Sequence, residues 1–230
     1  MLYIVATAIG NIEDTSLRAI KTLVTSNIIL AEDTLTFDSY YKRIQKLFSM
    51  VPQKKQKIVH LHKENEFEKI PWVIDQLETN MIISLVSESG LPTIADPGGL
   101  LIHRLITNNV NFTVIPGSSA LTTAMAYSGS IQNNIIFLGF LPKKKAHVLQ
   151  SFKRLKACIS KYNNLSVIFY ESPHRIQETL KIIDEVLPQA EITICREMTK
   201  KFEEIIRGTP GKLADKNIKG EITVVMHIKH

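Results

Sequence analysis

The chain has 230 residues, 44% hydrophobic and 22% charged, with a formal net charge of +6, values of an ordinary globular protein rather than a disordered or fibrous one. Its length allows one large domain or two smaller ones with buried cores. Cys158 and Cys195 make neither a disulfide framework nor a metal motif, no apolar run nears the about 20 residues of a membrane span, and the start lacks the basic region of a signal peptide, so a soluble cytoplasmic protein is expected.

Residues 2–8 read as a continuous apolar strand. Asp14, Thr15 and Ser16 offer an N-cap to a helix that carries Leu17, Ile20, Leu23 and Val24 at helical spacing. The next strand, 27–31, ends in Glu32-Asp33-Thr34, and a helix follows over residues 38–48. Residues 57–61 form another strand, in which His60 and His62 share a face and lack further metal ligands at useful spacing. Pro71 suits the first turn of a helix that runs to Glu78. The apolar run 81–86 reads as a buried strand. After it comes a loop, residues 87–98, with two Gly/Pro punctuation points and the carboxylates Glu88 and Asp96. Connectors of α/β units usually run about 2–6 residues, and ligands of open α/β sheets bind just beyond strand C-termini. This loop therefore reads as a binding element, with a helix from Leu100 to Thr107 behind it.

Residues 111–115 are a strand that breaks at Pro116-Gly117-Ser118-Ser119-Ala120, and a helix follows over 121–127. A domain boundary is placed here, giving domains 1–116 and 117–230. The second half has strand candidates at 135–140, 165–170, 190–196 and 221–228 and helices at 145–161 and 174–186. Strands alternating with helices define an α/β fold. Residues 1–115 hold 11 Lys/Arg against 12 Asp/Glu, whereas residues 116–230 hold 17 against 10. The basic excess thus sits in the second half, where it attracts polyanions or merely solvates a lysine-rich surface.

Seven local patterns line up in order: Thr7-Ala8-Ile9-Gly10-Asn11, Ala31-Glu32-Asp33-Thr34, the 87–98 loop, Pro116-Gly117-Ser118-Ser119-Ala120, Gly139-Phe140-Leu141-Pro142, Tyr170-Glu171-Ser172-Pro173-His174-Arg175 and Arg196-Glu197-Met198-Thr199-Lys200. This series resembles the tetrapyrrole-methylase-like superfamily of S-adenosylmethionine-dependent methyltransferases. Within it, the chain is similar to the bacterial branch that methylates a cytidine 2′-hydroxyl in 16S ribosomal RNA. The resemblance covers nearly the whole chain. It implies two α/β domains of the tetrapyrrole methylase type with the cofactor in a cleft between them, a homodimer, and ribosomal RNA or the assembled 30S subunit as partner. No metal and no covalent intermediate are called for.

For the cofactor, S-adenosyl-L-methionine, the resemblance implies a pocket made by Ser87, Glu88, Ser89, Gly90 and Thr93, by Ser118, Ser119 and Ala120, and by Tyr170. A G-x-G-x-x-G loop is absent after the first strand, where Gly10 stands alone. Pro-Gly-Ser-Ser before a helix is also ordinary cap chemistry. Four residues are candidates to position or deprotonate the acceptor hydroxyl: Glu32, Glu171, Glu197 and Lys200. Beside Glu32, Asp33 or Thr34 can simply cap the next turn. Ser172 and Pro173 can start a helix, and Glu197 with Lys200 can be a structural ion pair. Lys143, Lys144, Lys145, Arg175 and Arg196 are the candidate RNA contacts, with Lys153, Arg154 and Lys156 extending a basic helical face; charge runs are also often plain solvated surface.

The chain departs from the family pattern in three places. Ala6 and Ala8 stand where the family has proline, Glu88 where it has aspartate, and the family's C-terminal extension is not expected after His230. Two other readings stay open: a methyltransferase of a small molecule such as a tetrapyrrole, and a catalytically weakened RNA-binding homologue.

Overall fold

The computed structural model describes residues 1–130, 134–159 and 164–229. The chain divides into two units, Met1–Ser119 and Ala120–His230.

The first unit is built on five short strands: β1 (Leu2–Val5), β2 (Ile28–Ala31), β3 (Lys57–His60), β4 (Ile83–Leu85) and β5 (Phe112–Ile115). All pair in parallel, in the order β3-β2-β4-β1-β5. Side chains alternate between the two faces of a strand, and here both faces are apolar. Leu2, Ile4, Leu30 and Leu85 pack with Val73, Leu77, Leu101 and Leu105. Val5, Ile29 and Ala31 pack with Ile20, Leu23, Phe37 and Ile44. Helices α1 (Leu17–Thr25) and α2 (Thr34–Phe48) therefore cover one face, and α3 (Glu66–Glu78) and α4 (Gly99–Thr107) the other.

Topology explains that division. The crossovers through α1 and α2 step one way along the sheet, and those through α3 and α4 step the other way. Right-handed crossovers must then lie on opposite faces. The direction reverses beside β4, so the loops that leave β1, β2 and β4 meet at the position where open α/β sheets bind ligands.

Local sequence sets the helix starts. The Ser16 hydroxyl accepts from the Ala19 amide. Asp33 accepts from the Leu35 and Thr36 amides at 2.8 and 2.9 Å, which starts α2 at Thr34 rather than at residue 38. Pro71 does not start its helix. It is the sixth residue of α3, which opens at Glu66. The proline forfeits one amide bond, but Ile70, Val73 and Leu77 anchor the helix in the core on either side of it. Glu66 is buried, and its carboxylate accepts from the Leu101 amide at 2.8 Å. It thereby caps α4, whose own N-cap, Gly98, has no side chain to do so.

The second unit has a mixed sheet: β6 (Ile135–Phe140), β7 (Asn164–Glu171), β8 (Glu191–Arg196), β9 (Glu204–Gly208) and β10 (Ile222–Lys229). The order is β6-β7-β10-β8-β9, with β6 parallel to β7 and the other pairs antiparallel. Leu165, Val167 and Phe169 of β7 join Ile192, Ile194, Val224 and Met226 under α6 (Lys145–Ile159), α7 (Ile176–Val186) and the short α8 (Pro210–Leu213). Helix α5 (Ala120–Ser128) lies across the other face against β7, β8 and β10. The end of the helix expected over 145–161 falls outside the described residues. The strand β9 was not expected. It is a short edge strand with no fully buried residue, so it lacks the alternation that marks β8.

Replacing Glu66 with alanine leaves the Leu101 amide buried and unpaired. The expected cost is about 1–3 kcal/mol in denaturant unfolding, and Glu66→Gln, which retains an acceptor oxygen, is expected to recover part of it.

Candidate functional site

The loops that follow β1, β4 and β5 are tied together at Gly90. The Thr7 amide donates to the Gly90 carbonyl at 2.9 Å, and the buried hydroxyls of Thr7 and Ser87 point to the same carbonyl at 3.4 and 3.2 Å. Gly90 has φ +80°, and a Cβ there would lie 3.2 Å from Ile9 and 3.3 Å from the Ser118 carbonyl. Of the residues expected to hold the cofactor, Ser87, Gly90 and Ser118 are thus brought together within the first unit. Glu88 and Ser89 are exposed at the loop's outer turn, Thr93 and Ser119 are half-buried, and Ala120 opens α5.

The rest of this loop is strained. Thr93 and Ala95 take left-handed φ values of 73° and 72°, and Gly98 follows at 107°. A non-glycine residue costs about 1–2 kcal/mol in that region, and such strain collects at functional sites. At Gly98 a Cβ would come within 2.5 Å of Leu85, so glycine is required there.

Asp96 of the strained segment feels the charges of two other carboxylates, Glu32 and Glu88. Asp96 is half-buried. Burial first, then the charges of Glu32 and Glu88, push its pKa up to about 6, while Lys63 and the Ser87 hydroxyl pull the other way. The Lys63 ammonium is fixed beside it by donating to the Ala95 carbonyl at 3.1 Å. Asp33, the neighbour of Glu32, goes the opposite way: hydrogen bonds from the Thr36 and Leu35 amides hold its carboxyl below the usual range. Of the adjacent pair, Asp33 is the cap and Glu32 is the carboxylate beside Asp96. The sequence marks Asp96 as one of the two carboxylates of this loop, but it is not among the residues expected to bind the cofactor or act on the acceptor. The available signal was its place between Ala95 and Pro97, which give it little polar company. Among the described residues, no group of three His, Cys, Asp or Glu side chains is placed to hold a metal ion. The rings of His60 and His62 meet edge-on at 4.8 Å.

Ala6 and Ala8 use backbone donors that a proline would lack. The Ala6 amide donates to the Ile115 carbonyl at 3.2 Å and the Ala8 amide to the Tyr40 hydroxyl at 3.3 Å. Hydrogen bonds therefore fix this loop where a ring would have fixed it.

In the second unit the remaining candidates fall into two clusters. Glu171 is buried. One of its oxygens accepts from the Ser172 amide at 2.7 Å and the other from the Thr179 hydroxyl at 2.8 Å, with Arg175 at 3.4 Å. Arg175 also donates to the Leu141 and Pro142 carbonyls. This cluster fastens the start of α7 to the end of β6, and Tyr170 packs against Phe137 and Phe140 beside it. In the other cluster, Glu197 sits at φ 50° and accepts from the Glu221 amide at 2.9 Å, with Lys200 at 3.3 Å. The Glu221 amide, and then the Lys200 charge against some burial, hold the Glu197 carboxyl below its usual range. Burial pulls the Lys200 ammonium down, but its hydrogen bond and charge contact with Glu221, 2.9 Å away, and with Glu197 outweigh that and raise its pKa. Lys200 is thus held charged. Arg196 donates to the Lys219 and Phe202 carbonyls at 2.6 and 3.0 Å. Lys143, Lys144 and Lys145 are exposed, and Lys145 pairs with Glu178 at 3.1 Å. Burial pushes the Cys195 thiol up to about 11, which leaves it protonated and inert.

A sheet with loops gathered at its reversal point, joined in one chain to a mixed α/β unit, defines a class. The family model for Tetrapyrrole (Corrin/Porphyrin) Methylases matches residues 1–214, and the chain belongs to that family. It is 36% identical to the Ribosomal RNA small subunit methyltransferase I of Thermotoga maritima, over 98% of this chain and 97% of that one. It is also 36% identical to the proteins of the same name from Bacillus subtilis and Halalkalibacterium halodurans, over 98% of this chain and 74% and 75% of theirs. Solved structures with the same fold include the methyltransferase CobJ (TM-score 0.69, 14% identity, 98% of this chain and 92% of that one) and cobalt precorrin-4 methyltransferase CbiF (TM-score 0.65, 14% identity, 98% and 93%).

The raised pKa of Asp96 makes a stability prediction. The folded state binds this proton more tightly than the unfolded chain, so the ionised group costs stability above about pH 6 and nothing below the unfolded value near 3.8. Asp96→Asn is expected to raise the melting temperature at pH 8, with the gain fading as the pH falls from about 6 to about 4. A gain independent of pH would remove the carboxyl's titration as its cause.

Proposed function

We propose that this chain transfers the methyl group of S-adenosylmethionine to the 2′-hydroxyl of a cytidine ribose in 16S ribosomal RNA. The observation that supports this most is its 31–36% identity, over nearly its full length, to proteins named Ribosomal RNA small subunit methyltransferase I. The basic balance of residues 116–230 agrees with an RNA partner. No helix among the described residues is long and apolar enough to cross a membrane. The proposed setting is a homodimer in the cytoplasm that acts on the ribosomal RNA or the assembled small subunit.

The chemistry of the donor set fits the cofactor. Glu88 and Asp96 belong to the β4 loop, Glu32 follows β2, and their charges influence one another at Asp96; carboxylates suit a ligand that carries a sulfonium, an ammonium and a ribose diol. Ser87, Gly90 and Ser118 would hold it, because small residues let backbone approach a ligand closely. Bound S-adenosylmethionine supplies an electrophilic methyl group; the protein must aim the acceptor at it and help to remove the acceptor's proton.

We assign that proton to Asp96, which burial, and then the charge of Glu32, make more basic. A pKa of about 6 makes it a stronger base than an ordinary carboxylate, yet leaves it ionised at neutral pH. Glu197 is held too acidic for the task, and Lys200 keeps its proton, so this pair suits binding an RNA phosphate through the ammonium. Both oxygens of Glu171 are occupied by the α7 start, which makes it a support.

The test is transfer of labelled methyl from S-adenosylmethionine to small subunits from a strain that lacks the modification, with the labelled nucleotide mapped. Label on a single cytidine ribose is expected. Label on a tetrapyrrole precursor, or on no RNA, would overturn the reading. The single-turnover rate is expected to climb with pH through about 6 and then level off. Asp96→Asn is expected to lower it by about 10²–10⁴-fold, the range for loss of a general base.

A further inference from the structure

Strand β6 lies at the edge of the second sheet, and its side chains alternate. Ile136 and Leu138 pack against the core under α6 and α7. Phe137 lies opposite Ile168 on β7, so it faces the other way. Unbroken alternation would return Phe140 to the helix-covered face. It does not return, because the ladder slips between Phe137 and Phe140, where Gly139 takes a left-handed φ of 63°. Three residues on β6 then match two on β7, and Phe140 lies opposite Tyr170. Bulges of this kind re-aim a side chain. Phe140 ends up on the face away from α6 and α7, with 64% of its surface exposed. Its ring meets Tyr170 at 5.2 Å, and Tyr170 also meets Phe137 at 5.2 Å.

A buried phenylalanine has thus been exchanged for an exposed one, on a rigid strand, backed by two further rings. Three residues further on, Lys143 and Lys144 are exposed, and neither is in an ion pair with a carboxylate among the described residues. The loop that joins the rings to these lysines is pinned by Arg175, which donates to the carbonyls of Leu141 and Pro142. The platform and its charges therefore keep a fixed spacing. An exposed aromatic face with cations beside it matches an unpaired nucleotide: the base stacks on the ring and the phosphates meet the lysines. An acidic protein would use the lysines but has no need of an open ring, and a second copy of this chain carries the same basic excess.

We infer that Phe140, backed by Tyr170 and Phe137, is a stacking platform for an unpaired base of the RNA substrate, with Lys143 and Lys144 holding the adjoining phosphates. The inference rests on the reading of the chain as an RNA methyltransferase.

The experiment compares the wild type with Phe140→Ala, Phe140→Trp and Lys143→Ala/Lys144→Ala. The probe is a single-stranded fragment of 16S RNA with 2-aminopurine placed at successive positions around the methylated cytidine. Binding, quenching of the probe, cofactor affinity by calorimetry and oligomeric state by sedimentation are all measured. Phe140→Ala is expected to weaken RNA binding about 10- to 100-fold, the loss typical of one stacked base, and to abolish quenching at one position. Phe140→Trp is expected to restore both. The double lysine variant is expected to keep the quenching and to flatten the salt dependence by about 0.7 per lysine in log–log slope. Unchanged RNA affinity in Phe140→Ala would overturn the inference. So would loss of cofactor binding, which would make the platform part of the donor pocket, or loss of self-association, which would make it a subunit contact. If the wild type methylates no RNA, the functional reading fails; if it does and Phe140→Ala binds RNA equally well, only the platform fails.

Discussion

The burial of Asp96 against two other carboxylates is the interaction on which the candidate site depends. Its charge is disfavoured by its surroundings, and the loop after β4 keeps it half-buried. That loop passes through left-handed backbone at Gly90, Thr93, Ala95 and Gly98. Each such turn is unfavourable or tolerated only by glycine. What holds it is outside the loop: Thr7 from the β1 side, Ile9 and the Ser118 carbonyl against Gly90, Lys63 on the Ala95 carbonyl and Leu85 beneath Gly98. The strain and the raised basicity therefore have one origin, a loop held rigidly by its neighbours.

The sheet order places these supports. With β4 between β2 and β1, the ends of all three strands open at one edge, and Glu32, Thr7 and Ser87 lie at those ends. The α4 helix behind the loop starts at Gly99 and is capped by Glu66 from α3, so the loop is fixed at both ends. In the second unit, strain takes a different form. Glu197 and Thr199 take left-handed φ, and a Cβ at Gly220 would strike Glu197 at 2.5 Å. The result there is a compact ion cluster that keeps Lys200 charged.

Much of this could be read from the chain. The apolar runs became the strands at nearly the expected places, because parallel strands buried on both faces need such runs. The loop after residue 86 stood out by its length and its punctuation. Other features could not be read. Pro71 suggested a helix start, but core packing by Ile70, Val73 and Leu77 carried the helix through it. That Asp33 rather than Thr34 caps the next helix shows only in its backbone hydrogen bonds. The raised pKa of Asp96 comes from burial first and then from the charge of Glu32, neither of which the sequence shows. Phe140 looked like part of an apolar strand until the bulge at Gly139 turned it outward. The partners of Glu171 and Arg175, which the sequence did not show, are each other and the backbone and a hydroxyl of their own unit.

Membership of the tetrapyrrole methylase family sets the general chemistry, and the residues around the β4 loop make it specific to this chain. The direct measurement is an NMR titration of the Asp96 side-chain carboxyl in protein labelled with ¹³C-aspartate, assigned by comparison with Asp96→Asn. A midpoint near 6, moving down when Glu32 is replaced by glutamine, is the result this account requires. A midpoint at the ordinary value near 3.8, unmoved by that replacement, would contradict it.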